Sequence, residues 1–147
     1  MKNRIPKNNL NYKIMAVQDG RALRIKIGGS VIALATSCSL SITGDTLETA
    51  TKDDTGKWKS KVLSGLSATL THSGLLGVLH SDLSAHWASL TAGTEFSWEF
   101  TDSVATHNKF FGTGFFSGLS IEAADLQNVT IELPIEVTGE VTLAEYT

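Results

Sequence analysis

The stretch Leu23-Arg-Ile-Lys-Ile-Gly-Gly-Ser-Val-Ile-Ala-Leu-Ala-Thr-Ser-Cys-Ser-Leu-Ser-Ile42 decides how this chain is read. Leu23, Ile25 and Ile27 alternate with Arg24 and Lys26, the period of two that marks a half-buried strand. Gly28-Gly29-Ser30 supplies the positive φ of a tight hairpin turn. Val31–Ala35 is then expected to return as a short apolar strand. From Thr36 to Thr43 the alternation resumes, with Cys38, Leu40 and Ile42 facing in and Ser37, Ser39 and Ser41 facing out. In that position Cys38 is a small core hydrophobe, because a reactive thiol wants an electropositive, partly exposed neighbourhood.

Beyond this segment, Gly44–Ser60 breaks the pattern with charges of both signs and many threonines, and is expected to be a long, functional or disordered connection. Trp58, between Lys57 and Lys59, is either an interface anchor or a cover for the edge of its own domain. Leu66–His72 alternates again as a strand. Leu79, Leu83, Trp87 and Leu90 fall on one face of a short helix, with Ser81 or Asp82 able to cap its start and Gly93 its end. His80 and His86 are six apart, the wrong spacing for a helical metal pair, and read as surface or boundary residues.

Glu95–Thr101 places Phe96, Trp98 and Phe100 on one face. Phe110–Ile121 reads as one glycine-rich strand. Its Gly112-x-Gly114-x-x-x-Gly118 spacing misses the dinucleotide fingerprint, and glycines in a strand mark a bulge, a bend or the close approach of another backbone. Val129, Ile131, Leu133, Ile135 and Val137 alternate with Thr130, Glu132, Pro134, Glu136 and Thr138. Pro134 predicts an edge strand or a bulge there. The expectation is a mainly β fold of six or seven strands, a β-sandwich of two packed antiparallel sheets or a partly closed barrel, with one short flanking α-helix.

Composition narrows the function. A chain of 147 residues with 41% hydrophobic and 18% charged residues is neither disordered nor membrane-spanning, and its single cysteine excludes an internal disulfide framework. Twelve Lys and Arg face fifteen Asp and Glu. Four of the bases (Lys2, Arg4, Lys7 and Lys13) sit in residues 1–16, which hold no acid. The rest therefore carries eight bases against fifteen acids, a poor surface for gripping nucleic acid. Residues 1–16 read as a flexible basic arm, or as sequence upstream of a start at Met15, and 17–147 as a single domain.

No constellation for catalysis emerges. Asp53-Asp54 lacks the spaced oxygen ligands of a calcium loop, and His72 and His107 are isolated. Glu122, Asp125, Glu132 and Glu136 scatter over strands and turns like a solvated face, and no cofactor or metal pattern appears. The available sheet edge and the long charged loop point instead to assembly. A carbohydrate- or receptor-binding β-sandwich, stacking ligands on Trp58, Trp98 or Phe115, is the competing class.

The ordered set of segments resembles the major tail tube proteins of long-tailed bacteriophages and prophages. The opening hairpin, the loop Thr49-Ala-Thr-Lys-Asp-Asp-Thr-Gly-Lys-Trp58-Lys, the helix, the strand Gly112-Thr-Gly-Phe-Phe-Ser-Gly-Leu-Ser-Ile-Glu-Ala and the closing Val137-Thr-Gly-Glu-Val141 carry the likeness over residues 16–145. The resemblance implies two packed sheets with a flanking helix, six copies to a ring, and rings stacked into a hollow tube for DNA. It also implies other tail proteins as partners: tape measure, terminator and baseplate. By analogy residues 45–61 form a stacking loop, with Asp45, Thr49, Lys52, Asp53, Asp54, Lys57, Trp58 and Lys59 as its contact residues. Glu95, Glu99, Glu132 and Glu136 are the candidates for facing the lumen.

Overall fold

A computed structural model describes residues 19–49, 56, 58–77, 81–102, 104 and 107–144. The segment 1–16, read above as a basic arm, lies outside them. The elements in chain order are β1 (Arg24–Ile27), β2 (Ser30–Val31), β3 (Ala35–Glu48), β4 (Lys61–Leu75), α1 (Ser81–Ala92), β5 (Phe96–Thr101), β6 (Lys109–Phe116), β7 (Ser120–Glu122) and β8 (Thr130–Ala144). Gly28 and Gly29, at φ of 55° and 86°, turn β1 into β2 with Ile27 opposite Ser30, the two-residue turn that the Gly-Gly pair predicts. The return strand is shorter than expected, because Leu34 adopts a φ of 56° and separates β2 from β3.

All the strands belong to one antiparallel sheet of order β2-β1-β5-β6-β8-β4-β3, with β7 also on β8. The two packed sheets expected from the sequence are thus one hydrogen-bonded sheet, open at β2 and β3. Its continuity comes from the 15-residue β8, which pairs with β4 along one side and with β6 and β7 along the other. Alternation tells which face a residue takes but not which strand lies beside it, so the sequence could not distinguish the two arrangements.

Pro134 is the clearest correction. It lies in this central strand, opposite Thr71 of β4, and is not at an edge. Its carbonyl accepts a hydrogen bond from the Ser117 amide at 3.0 Å. The N–H and C=O of a strand residue point to the same side, so the missing N–H faces the break between β6 and β7. No ladder bond is forfeited there. That same break divides the segment expected as one strand from Phe110 to Ile121. The irregularity of β8 falls instead near Gly139, at φ 75°, where the β6–β8 register shifts.

One face of the sheet holds the core: Ile25, Leu70, Trp98, Phe116, Ile131, Leu133 and Ile135 are buried, consistent with the alternation in each strand. His72 joins them at 1% exposure, with Cys38 Sγ 3.7 Å from its Nδ1. The isolated histidine of the sequence is therefore a core residue. Burial pushes the Cys38 thiol pKa up, in keeping with an inert cysteine.

Helix α1 covers this face, packing Leu83 and Leu90 against the core and the His86 ring edge-on to Phe116. Trp87, expected on the same face, is exposed. The buried stripe centres on His86 and Leu90, about a quarter turn from Trp87 at 100° per residue. Leu79 and His80 lie outside the described residues. Gly93, at φ 62°, ends the helix: its amide reaches Leu90 O, and that of Thr94 reaches Ser89 O, the paired bonds of a Schellman cap.

Candidate assembly surface

The β3–β4 hairpin outgrows the sheet. Ladder pairing of β4 with β8 covers residues 69–75 only, whereas β3 and β4 pair with each other out to Glu48 and Lys61. The segment from Gly44 to Glu48, expected as loop, is thus strand, and Asp45 stands in β3. β-Branched and aliphatic residues on both chains (Ile42, Leu47, Val62) make extended pairing favourable there despite the glycine and the charges.

A bulge shapes the projecting part. Asp45 pairs with Gly65 and Thr46 with Leu63, leaving Ser64 unpaired. Its hydroxyl donates to Asp45 O at 3.0 Å. Thr36 resolves the other β3–β4 irregularity in the same way, donating to Ser73 O at 3.1 Å. An extra residue reverses which face the following residues take. Leu63 and Leu66, three apart, consequently share the face of Ile42, and both lie over Gly44, where a Cβ would sit 2.6 Å from Leu63 Cδ1. Leu63 is 59% and Leu66 69% exposed, with Ile42, Leu47 and Val62 about half exposed. A two-stranded ribbon is marginal alone in water, and Ile42, Leu63 and Leu66 gathered on one of its faces, with Leu47 and Val62 on the other, mark a contact surface.

The sequence missed these residues. Ile42 and Leu66 read as core because the alternation is correct but the sheet beneath them ends. Val62 and Leu63 went unread because they border the supposed loop, although two adjacent aliphatics beside a charged stretch are a usable signal.

Of the predicted loop residues, Thr49, Trp58 and Lys59 lie at the far end of this arm. Thr49 N–H donates to Ser60 O at 3.0 Å, and Lys59 pairs with Glu48 at 3.1 Å. Trp58 is 95% exposed, so it does not cover its own domain. Lys52, Asp53, Asp54 and Lys57 lie outside the described residues.

The sheet face opposite the core is polar. Ser37, Ser39 and Ser41 of β3 lie across from Ser73, Thr71 and Thr69 of β4, and these three lie across from Glu132, Pro134 and Glu136 of β8. Glu132 and Glu136 are exposed on this face, four residues apart along β8. Glu99 shares it but is tied to Lys109 at 3.2 Å, and Glu95 precedes β5, exposed. Of the aromatics considered as a platform for a sugar ligand, Trp58 is exposed, Trp98 is buried in the core and Phe115 is half-buried on the polar face.

Among the described residues no group of three or more His, Cys, Asp or Glu could hold a metal ion, and no helix is long and apolar enough to cross a membrane. An open sheet with a helix over its core and an uncovered hairpin arm defines a class of fold, that of tail and injection-system tubes. The tail of an empty gene transfer agent particle matches with a TM-score of 0.72 at 15% identity, covering 87% of this chain and 99% of that one. The SPP1 tail tube matches at 0.68 and 11% identity, over 88% and 80%. The sheath–tube complex of the extracellular contractile injection system PVC matches at 0.70 and 14%, over 90% and 94%. No curated protein matches the sequence significantly. The chain belongs to the phage tail tube protein family, whose model matches residues 12–143, and its role is that of a structural tail tube protein.

Proposed function

We propose that residues 17–147 form one domain, that six copies close into a ring, and that rings stack into the tube through which phage DNA leaves the virion. Subunits would gather in the host cytoplasm before joining a tail that also holds tape-measure, terminator and baseplate proteins. The observation that carries this reading is the β3–β4 arm, which exposes apolar surface that only a neighbour can cover. The C6 symmetry of the gene transfer agent tail, whose subunit shares the fold, supports six as the number.

In this reading Trp58 and the residues around it contact the next ring. Trp58→Ala, and separately removal of residues 50–57, should leave folded subunits that no longer stack, as seen by negative-stain electron microscopy. Tubes of normal length from the shortened protein would refute the stacking role.

The serine-, threonine- and glutamate-coated face is the proposed channel wall. It presents carboxylates that repel phosphate, so that DNA slides and does not bind. Glu132 and Glu136 suit this role best, since Lys109 neutralises Glu99. Glu132→Lys with Glu136→Lys should slow DNA ejection severalfold while tubes still form; unchanged ejection kinetics would remove these residues from the lumen.

A further inference from the structure

Between helix α1 and the sheet lies a cavity of about 140 Å³, lined by Ile32, Leu34, Leu76, Leu83, Ile131 and Leu133 among others, with His72 entering from β4 and His86 from α1. His72 Nε2 is buried and has no hydrogen-bond partner. The groups facing this ring from each neighbouring element can be named. β3 brings the Cys38 thiol, which is neutral; α1 brings His86; β8 brings only Ile131 and Leu133; and the β2–β3 connection brings Ala33 and Leu34. No carboxylate is among the described lining residues.

We infer that His72, facing His86 across this cavity, is an acid-sensitive latch: neutral, it lets α1 seat on the sheet, and once protonated it drives the helix off. A proton on Nε2 would put a charge in an apolar cavity with nothing to accept its hydrogen bond and with a second imidazole across the space. Lifting α1 admits water to both rings and relieves both penalties. Burial, with a smaller contribution from His86, holds the His72 pKa down at about 4, against an ordinary value of 6.5. The helix-seated state therefore binds fewer protons than the open one. Its advantage is complete above pH 6.5, declines as the pH falls from there to about 4, and is constant below.

Hydrogen exchange of the full-length subunit, corrected for the intrinsic pH dependence of exchange, tests this. Protection of the α1 amides should fall about 30-fold between pH 7.5 and pH 5 by linkage, while the amides of β8 hold. His72→Leu should flatten the profile, and His86→Gln should make the fall smaller, because without the repulsion the His72 pKa of the seated state lies closer to its ordinary value. Flat α1 protection down to pH 4 would overturn the latch. So would simultaneous loss of α1 and β8, or a His72→Leu profile identical to that of the natural protein. If the leucine variant does not fold, an undiminished fall in His86→Gln has the same force. Because the measurement is made on unassembled subunits, its outcome is independent of whether they form tubes.

Discussion

Gly114→Ala is expected to cost the subunit roughly 3 kcal/mol or more of folding free energy, near the upper range for a single added carbon. Gly114 lies in β6 with Phe96 of β5 on one side and Val137 of β8 on the other. A Cβ built there would stand 2.6 Å from the Glu136 carbonyl oxygen and 3.2 Å from Ile135 Cγ2. Backbone cannot step aside as a side-chain end can, and Ile135 is itself fully buried. Relief would require parting the β6–β8 ladder that joins the two halves of the sheet. Gly65→Ala is the matched control, since nothing lies within 4 Å of its added carbon and its cost should stay within about 0.5 kcal/mol. Urea denaturation of both variants decides the matter; equal midpoints would show that the close approach is not rigid.

Leu63→Asp combined with Leu66→Asp should produce the largest effect on assembly. Both side chains are more than half exposed in the lone subunit, so the charges meet water there and thermal unfolding should shift by only a few degrees. In a tube the same positions would sit against a neighbour, and an unpaired carboxylate buried in an apolar contact is costly. Losing two aliphatic anchors at about 1.5–3 kcal/mol each should raise the concentration needed for assembly by about a hundredfold or more. Sedimentation should show folded subunits at concentrations where the natural protein polymerises. Polymerisation at an unchanged threshold would mean that the arm's apolar face is not a contact.

Much of this architecture was legible from residue patterning, and the failures share a cause. Gly28-Gly29 announced its hairpin because a two-residue turn needs positive φ. The alternations through Trp98 and through Ile131–Ile135 named the buried face correctly, because one side of a sheet must leave water. The glycines of β6 read as a bulge, a bend or a close approach, and Gly112 lies at a register shift while Gly114 lies against the Glu136 carbonyl. What patterning could not reveal was how far each face is covered: Ile42 and Leu66 continue the core rhythm past the last strand that could bury them. Pro134 misled because its safety comes from a gap in the neighbouring strand, a fact held by residues 117–119 and not by the proline. His72 looked isolated because Cys38 and His86 come to it from two other elements. Composition drew attention to the charged residues beyond Glu48, whereas the aliphatic flank of the arm was hidden at a mistaken boundary between loop and strand.

The unpaired Ser64 constrains how this chain can change length over evolutionary time. Residues added or removed in the 49–60 loop, beyond the last rung of the hairpin, leave the orientation of every arm side chain as it was. One residue gained or lost between Leu63 and Leu66 would rotate Leu63 to the side of Thr43 and Asp45, taking it away from Leu66 and Gly44. Relatives of this chain should therefore differ freely in the size of the hairpin tip, while the short stretch from 63 to 66 keeps its count.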